Sequence, residues 1–193
     1  MVIERRDGQL RVIAGLAKGR RLKSPVGLVT RPTSDRIKES IFSILSPYLP
    51  GSYVLDLFSG TGNLGIEALS RGAEKAIFVD NNRNSIRVIR ENTETTGFKE
   101  KSKILQLEAL KAISELAKSG EKYDIIFMDP PYLKGFIVPC IQAIEEGGLL
   151  TDEGIIVIEH DSKDTIPDQF IKLKRIKNRK YGNTTISIYS EEA

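Results

Sequence analysis

The chain has 193 residues, 40% hydrophobic and 28% charged, which is enough for one well-buried domain with a small extension and too little for two full domains. A single cysteine, Cys140, excludes an intrachain disulfide, no stretch approaches the roughly 20 apolar residues of a membrane span, and Met1 to Arg6 lacks the apolar segment of a secretory leader, so a cytoplasmic protein is expected. The net charge of +3 hides a division: residues 1–38 carry +7, 171–182 carry +6 and 183–193 carry −2, leaving −8 for 39–170, and basic ends around an acidic centre fit a polyanionic partner.

In chain order, Leu10-Arg11-Val12-Ile13 and Arg20-Arg21-Leu22-Lys23 read as short strands around a glycine-bearing turn at 14–19, forming a small basic hairpin. After Pro25 and Gly27, the segment Arg31-Pro32-Thr33-Ser34-Asp35 supplies N-cap residues. Ile37, Ile41, Ile44 and Leu45 then recur at helical spacing beside Phe42, so a helix should end near Ser46-Pro47. Pro50-Gly51 divides a basic extension, residues 1–50, from a main domain, 51–193. In that domain strands at 53–58, 76–80, 103–107 and 123–128 alternate with helices at 63–71, 83–93 and 109–118, the pattern of a doubly wound parallel sheet.

A helix at about 136–146 leads through Gly147-Gly148 to a strand at 155–160. Strands from Phe170 to Ile176 and from Thr184 to Tyr189, joined across Tyr181-Gly182-Asn183, must be antiparallel, because a parallel return needs a crossover of about a dozen residues. The predicted class is therefore α/β: a Rossmann-like, seven-stranded class I methyltransferase sheet, mostly parallel with an antiparallel last strand. A nicotinamide-binding sheet ordinarily lacks that closing hairpin. Neither internal repeats nor low-complexity segments are present, and without coiled-coil heptads a monomer is expected.

Asp56-Leu57-Phe58-Ser59-Gly60-Thr61-Gly62 follows the first sheet strand and opens a helix, with Gly60, Gly62 and Gly65 in G-x-G-x-x-G register. Asp80 stands 20 residues after Gly60 at a strand end, where a carboxylate takes ribose hydroxyls. An adenosine-bearing cofactor follows, although dinucleotides use the same device. Asp56 discriminates, since a carboxylate there suits an ammonium group and would repel a pyrophosphate; S-adenosyl-L-methionine fits better. Both acids also suit helix N-caps or loops. Glu108, or the backbone at Ala109, lies where the adenine amine would sit, with Phe58 and Ser59 in the loop and Ile104, Phe78 and Leu110 as apolar walls.

Asp129-Pro130-Pro131-Tyr132 follows the apolar run 123–128, at a strand's carboxyl end. The prolines fix φ near about −65°, so the Pro130 carbonyl and the Asp129 carboxylate can present two acceptors to one –NH2 group. Holding both N–H bonds out of plane would localise the lone pair of an exocyclic base amine toward an electrophile. Tyr132 supplies a stacking face, worth roughly 1–3 kcal/mol per base. The tetrapeptide thus points to methyl transfer onto a nucleobase nitrogen, with nucleic acid as the polyanion; a plain Pro-Pro loop with a surface tyrosine is the bland alternative.

With Arg11-Val12-Ile13-Ala14-Gly15, Lys18-Gly19-Arg20, Arg31-Pro32-Thr33, Asp35-Arg36, Phe42, the 56–62 loop, the 129–132 loop and Tyr181-Gly182-Asn183-Thr184 all in order, the chain resembles the bacterial 16S rRNA guanine-N2 methyltransferases of the RsmD type. The resemblance implies transfer of a methyl group from S-adenosylmethionine to N2 of one guanine in 16S rRNA, near the ribosomal P site, within an assembling small subunit. It implies a catalytic role for Asp129, Pro130, Pro131 and Tyr132. Cofactor contacts fall to Asp56, Gly60, Gly62 and Asp80, with Asn81 added beside Asp80. Glu108 is a looser match, since related enzymes often carry Asp or Asn there. It implies an rRNA-contacting extension, to which Arg11, Lys18, Arg20, Arg21, Arg31 and Arg36 belong; separately, the lack of clustered Cys and His residues leaves no metal site expected.

The expected mechanism flips the guanine, stacks it on Tyr132 and holds it with Asp129 and Pro130 during in-line attack by N2, Asp129 taking the released proton. An N6-adenine methyltransferase and a non-catalytic rRNA-binding assembly factor are the competing readings. Cys140 and Met128 are expected in the core, and the lone His160 is expected to be structural, since no second ligand lies near it.

Overall fold

The apolar runs Val54–Leu57, Ala76–Val79, Ile125–Met128 and Ile155–Ile158 are buried on both sides, as strands of a parallel sheet covered on two faces must be. The computed structural model describes residues 10–24 and 35–191. Its strands are β1 (Tyr53–Leu57), β2 (Lys75–Asp80), β3 (Ser102–Gln106), β4 (Tyr123–Met128), β5 (Leu150–Asp161), β6 (Leu173–Tyr181) and β7 (Thr184–Glu191). The helices are α1 (Asp35–Leu45), α2 (Asn63–Ser70), α3 (Arg83–Thr96), α4 (Ala109–Ser119) and α5 (Ile137–Gly147).

The strands form one seven-stranded sheet in the order β3-β2-β1-β4-β5-β7-β6. The first five pair in parallel, and β7 runs antiparallel to both β5 and β6. The expected fold class is what the chain adopts. Because winding proceeds outward from β1 through β2 to β3 and then restarts with β4 on the other side of β1, the switch point lies between β1 and β4. In such sheets the ligand crevice opens there, beyond the strands' carboxyl ends.

Several boundaries differ from the sequence reading, among them the start of β5, at Leu150 rather than 155. The strand expected at 170–176 runs instead from Leu173 to Tyr181. Its charged run reads as loop, but β6 is an edge strand, where solvent-facing cations are ordinary. In the basic hairpin only Arg11 and Arg21 form a bridge, supported by Val12 N–H to Arg20 O at 2.9 Å and Leu22 N–H to Leu10 O at 2.8 Å. The N-cap residues sought at 31–34, and Arg31 with them, lie outside the described residues.

Each sheet face has its own core. On one, Leu10, Val12, Ala17 and Leu22 of the hairpin and Ile41, Phe42 and Leu45 of α1 pack with Val54, Phe78, Phe127, Val157 and Ile186. On the other, α4 and α5 cover Leu55, Ile77, Met128 and Ile156, with Cys140 fully buried among them. The hairpin meets α2 closely at Gly15: its φ is +81°, and a Cβ there would lie 1.7 Å from the Ser70 carbonyl oxygen. Ser70 in turn accepts the Leu16 amide on its carbonyl at 2.8 Å and the Ala17 amide on its hydroxyl at 2.9 Å.

A buried ion pair fixes this packing. Lys38 of α1 and Glu67 of α2 are 1% and 0% exposed, and Lys38 Nζ lies 3.0 Å from Glu67 Oε2. The ammonium also donates to Asn63 Oδ1 at 2.7 Å and to the Arg11 carbonyl, while Glu67 accepts the amides of Ile13 at 2.8 Å and Ala14 at 2.9 Å and Arg71 Nε at 2.8 Å. Burial pushes the Lys38 ammonium below its ordinary range, and Glu67 opposes that shift. Removing the carboxylate would strand a buried cation and two amides. Glu67→Ala is therefore expected to cost about 3–5 kcal/mol of stability. Urea unfolding measures the loss, and hydrogen exchange should show the amides of Ile13 and Ala14 losing protection first.

Candidate active site

The glycine loop leaves β1 through an unusual backbone. Phe58 adopts φ 60°, a left-handed conformation that is rare outside glycine, and Gly60 and Gly62 follow with φ of 55° and 76°. Gly62 caps α2, and Gly62 N–H closes the turn on Ser59 O at 2.7 Å. Ser59 staples the loop to β2: its amide donates to Val79 O at 3.0 Å, and its hydroxyl accepts the Val79 amide at 2.9 Å while donating to the Asp56 carbonyl. Its side chain thus shapes the loop. Gly65 is glycine for a packing reason, since a Cβ would meet the Phe78 ring at 2.4 Å. Phe78 itself is fully buried under the loop, so it supports the floor rather than walling a ligand.

Asp56, only 2% exposed, accepts the Gly65 amide at 2.9 Å and so satisfies a donor in the first turn of α2. The helix-cap reading and the ligand reading therefore meet in one side chain. Burial, with the nearby Asp80 charge adding to it, raises its carboxyl to about 7, although the Gly65 bond opposes that rise. Asp80 lies at the end of β2 with one oxygen on Gly60 N–H at 2.9 Å and the other on Asn82 N–H at 2.8 Å. Burial raises its carboxyl too. Asn81 reaches Glu108 at 3.4 Å, on the exposed rim at the start of α4, where Ala109 is the first helical residue.

The second loop follows β4, directly beside β1 through the pairing Leu57 with Met128. Asp129 is half-buried, Pro130 buried, Pro131 exposed and Tyr132 half-buried. Burial, Glu159 and Asp56, in that order, hold the Asp129 carboxyl well above the usual range. Asp129 thus senses the charge of Asp56 across the switch point. Farther along, Leu133 has φ 57°, and Phe136 packs its ring 5.7 Å from that of Phe58, joining the two loops on their outer side. The pattern of alternation puts Asp80, Asp56 and Asp129 on the same sheet face as Phe78, Val54 and Phe127.

Two residues in and around the site escape a sequence reading. Glu159, 5% exposed near the end of β5, accepts the Tyr132 hydroxyl at 3.2 Å; an acid inside an apolar strand is the one signal that marks it. Asn92 of α3 is fully buried, donates to Thr61 O at 2.9 Å and exchanges hydrogen bonds with the backbone of Lys23, tying the glycine loop to the hairpin. Nothing in its neighbourhood of α3 marks it. His160 is structural as expected, with Nε2 and the Ser187 hydroxyl 2.9 Å apart. The described residues contain no cluster able to hold a metal ion.

Of the basic candidates, Lys18, Arg20, Arg21 and Arg36 are exposed, whereas exposed Arg11 is paired with Asp35 at 2.9 Å. A second basic strip runs along β6. Lys177 and Arg179 pair with Ile188 and Ile186 and so lie on the same sheet face as α1 and Asp129.

Comparison with known proteins gives a consistent assignment. The family model described as Conserved hypothetical protein 95 matches residues 10–190. The candidate rRNA methyltransferase YlbH of Bacillus subtilis is 40% identical over 182 residues, covering 94% of this chain and 99% of that one. The ribosomal RNA small subunit methyltransferase D of Escherichia coli is 32% identical over 187 residues, covering 97% and 92%. Among solved structures, the candidate methyltransferase yhhF of Escherichia coli superposes with a TM-score of 0.81 at 33% identity, covering 96% and 99%.

The raised Asp56 carboxyl has a thermodynamic consequence. Because its folded pKa, about 7, lies above the ordinary 3.8, its contribution to stability is complete below about pH 4 and is lost as pH rises through 7. Asp56→Asn, which keeps an acceptor for Gly65, is expected to raise the melting temperature of the ligand-free protein at pH 8 and flatten its fall between pH 5 and 8. Thermal scans across that range check the sign.

Proposed function

The chain belongs to the Conserved hypothetical protein 95 family, and from that premise we propose that it is an S-adenosyl-L-methionine-dependent methyltransferase acting on N2 of a guanine in 16S rRNA of the small ribosomal subunit. The observation that carries this reading is the placement of Asp129 and Asp56 on neighbouring strand ends at the switch point, close enough for the Asp56 charge to raise the Asp129 carboxyl. A cofactor held by the first loop and a base held by the second would meet between them. The names of the small-subunit rRNA methyltransferase relatives support the RNA class, and in this reading residues 51–193 are the methyltransferase domain with 1–50 as its RNA-contacting extension.

S-adenosylmethionine would supply an activated methyl group on a cationic sulfur. Asp56 suits its amino acid end, Asp80 its ribose hydroxyls, and the 58–62 backbone its close approach; Asn81, Glu108 and Ala109 line the rim where adenine would lie. Asp129 and the Pro130 carbonyl accept the two N–H bonds of the guanine amine, and Tyr132 stacks on the ring. On receiving the methyl group that the sulfonium would release, the amine nitrogen would lose a proton to Asp129, leaving a neutral thioether and a neutral methylated amine. A carboxyl with a raised pKa is a stronger base once ionised, which suits that step. Pro131 keeps the loop extended. The substrate is proposed to be a small subunit under assembly, met in the cytoplasm by a monomer.

Lys18, Arg20, Arg21, Arg36 and the β6 strip would engage RNA phosphates on both sides of the pocket. Replacing Arg20, Arg21 and Arg36 by Ala is expected to weaken subunit binding and reduce the slope of log affinity against log salt by about 0.7–0.9 for each phosphate no longer neutralised, with cofactor affinity unchanged. Asp129→Ala is expected to lower methyl transfer by about 10²–10⁴-fold with cofactor binding intact. Nucleoside chromatography and mass spectrometry of rRNA from cells lacking the protein test the whole reading: one missing N2-methylguanine in 16S rRNA supports it, a missing N6-methyladenine replaces it with the adenine alternative, and no missing methyl group overturns it.

A further inference from the structure

Glu159 has no part in the mechanism above, yet it sits against it. The register pairs Met128 with Ile158, so the next residues, Asp129 and Glu159, lie side by side where β4 ends and β5 continues. On its other side Glu159 pairs with Ile186 of β7, and Thr184 lies two residues along on the same face. The Tyr132 hydroxyl donates to Glu159 Oε1 at 3.2 Å and is 3.4 Å from Thr184 Oγ1. Val157, Ile186 and Ile188 share that face and are apolar, so the strand pattern would place an aliphatic residue at 159. An acid at that buried position departs from the strand pattern, and its carboxylate lies within hydrogen-bond distance of the Tyr132 hydroxyl.

The need for such an anchor is visible in the loop. Pro131 and Leu133 are exposed on either side of Tyr132, and a proline fixes the backbone beside the ring without fixing the ring's own torsions. A stacking platform works only with its plane fixed before the base arrives. Partners on two sheet strands, Glu159 accepting the phenol proton and the Thr184 hydroxyl donating to the phenol oxygen, fasten the far end of the ring and fix both side-chain torsions at once. The turn motif Tyr181-Gly182-Asn183-Thr184 supplies one of them, and its Tyr181 bonds to Ser40 of α1, so the anchor is itself braced.

We propose that Glu159 is a positioning residue that, together with Thr184, holds the Tyr132 phenol and so sets the plane on which the target base stacks. The inference rests on the methyltransferase reading above. It assigns no direct contact between Glu159 and the base.

The test measures kcat and KM for methyl transfer to small subunits isolated from cells lacking this protein, using wild type, Glu159→Ala, Glu159→Gln, Thr184→Val, Tyr132→Phe and the Tyr132→Phe/Glu159→Ala double variant. Glu159→Ala is expected to lose about 10–100-fold in kcat, with cofactor affinity within about twofold of wild type. Glu159→Gln, which keeps an oxygen acceptor, should recover most of that loss, and Thr184→Val should reproduce part of it. In the Tyr132→Phe background, Glu159→Ala should add less than about twofold, because the hydroxyl through which it acts is gone. Full activity in Glu159→Ala, or an undiminished loss in the phenylalanine background, overturns the inference while leaving the function standing. An inactive wild type overturns both. Should Glu159→Ala not fold, Glu159→Gln paired with Thr184→Val decides the matter, and full activity in Thr184→Val then overturns it.

Discussion

The buried carboxylate of Glu67 joins three elements that are separate in sequence. It gathers one ammonium, one guanidinium and two backbone amides, and these come from the hairpin, α1 and α2. Burying an ion pair is unfavourable unless every remaining lone pair and proton finds a partner, and here each does. The consequence is directional. Asn63, which shares Lys38 with Glu67, is the first residue after the glycine loop, so the basic extension and the loop at the end of β1 are held by one network. Asn92 repeats the connection from the other side through Lys23 and Thr61. In the proposed function, the surface that would meet the RNA is thus fixed relative to the pocket that would hold the cofactor and the target base in line.

That network explains why the extension is not a separate body. Leu10, Val12, Ala17 and Leu22 contribute to the same core as Phe78 and Phe127 of the central strands. Ser70 and Gly15 bring hairpin and helix into backbone contact. In a chain of this size, sharing a core raises the fraction of apolar surface that folding can bury, and the extension gains its stability from the sheet it decorates.

Much of the architecture was legible because its signals are local. The alternation of apolar strands and helices, the G-x-G-x-x-G spacing and the short turn at 181–183 each constrain the fold through geometry that neighbouring residues alone determine. Asp56, Asp80 and Asp129 announced themselves as acids at strand ends. What stayed hidden depends on contacts distant in sequence. Glu67 and Lys38, on helices separated by the first sheet strand, carry no local sign that they pair, yet both are fully buried. Asn92 gives no sign of bridging two loops. The span of β6 was misplaced because its cations mimic a loop, and Ser59 looked like a ligand contact although its hydroxyl is occupied by β1 and β2. Glu159 was visible as an acid in an apolar run, but its meaning required knowing that Tyr132 folds back onto it.

The outermost strand carries a second implication. An open sheet ends in peptide groups that no further strand covers, and β6 is such an edge: beyond Arg175, up to which residues 168–170 bond to it, it runs beside β7 with no strand on its other side among the described residues. Edges of this kind invite templated association between copies unless something repels the newcomer. Lys177, Arg179 and Lys180 provide that repulsion at the same positions whose charge suits a phosphate backbone. Selection for solubility and selection for a polyanion therefore pull in one direction along this border, and neutralising it to slow the one interaction would expose the protein to aggregation.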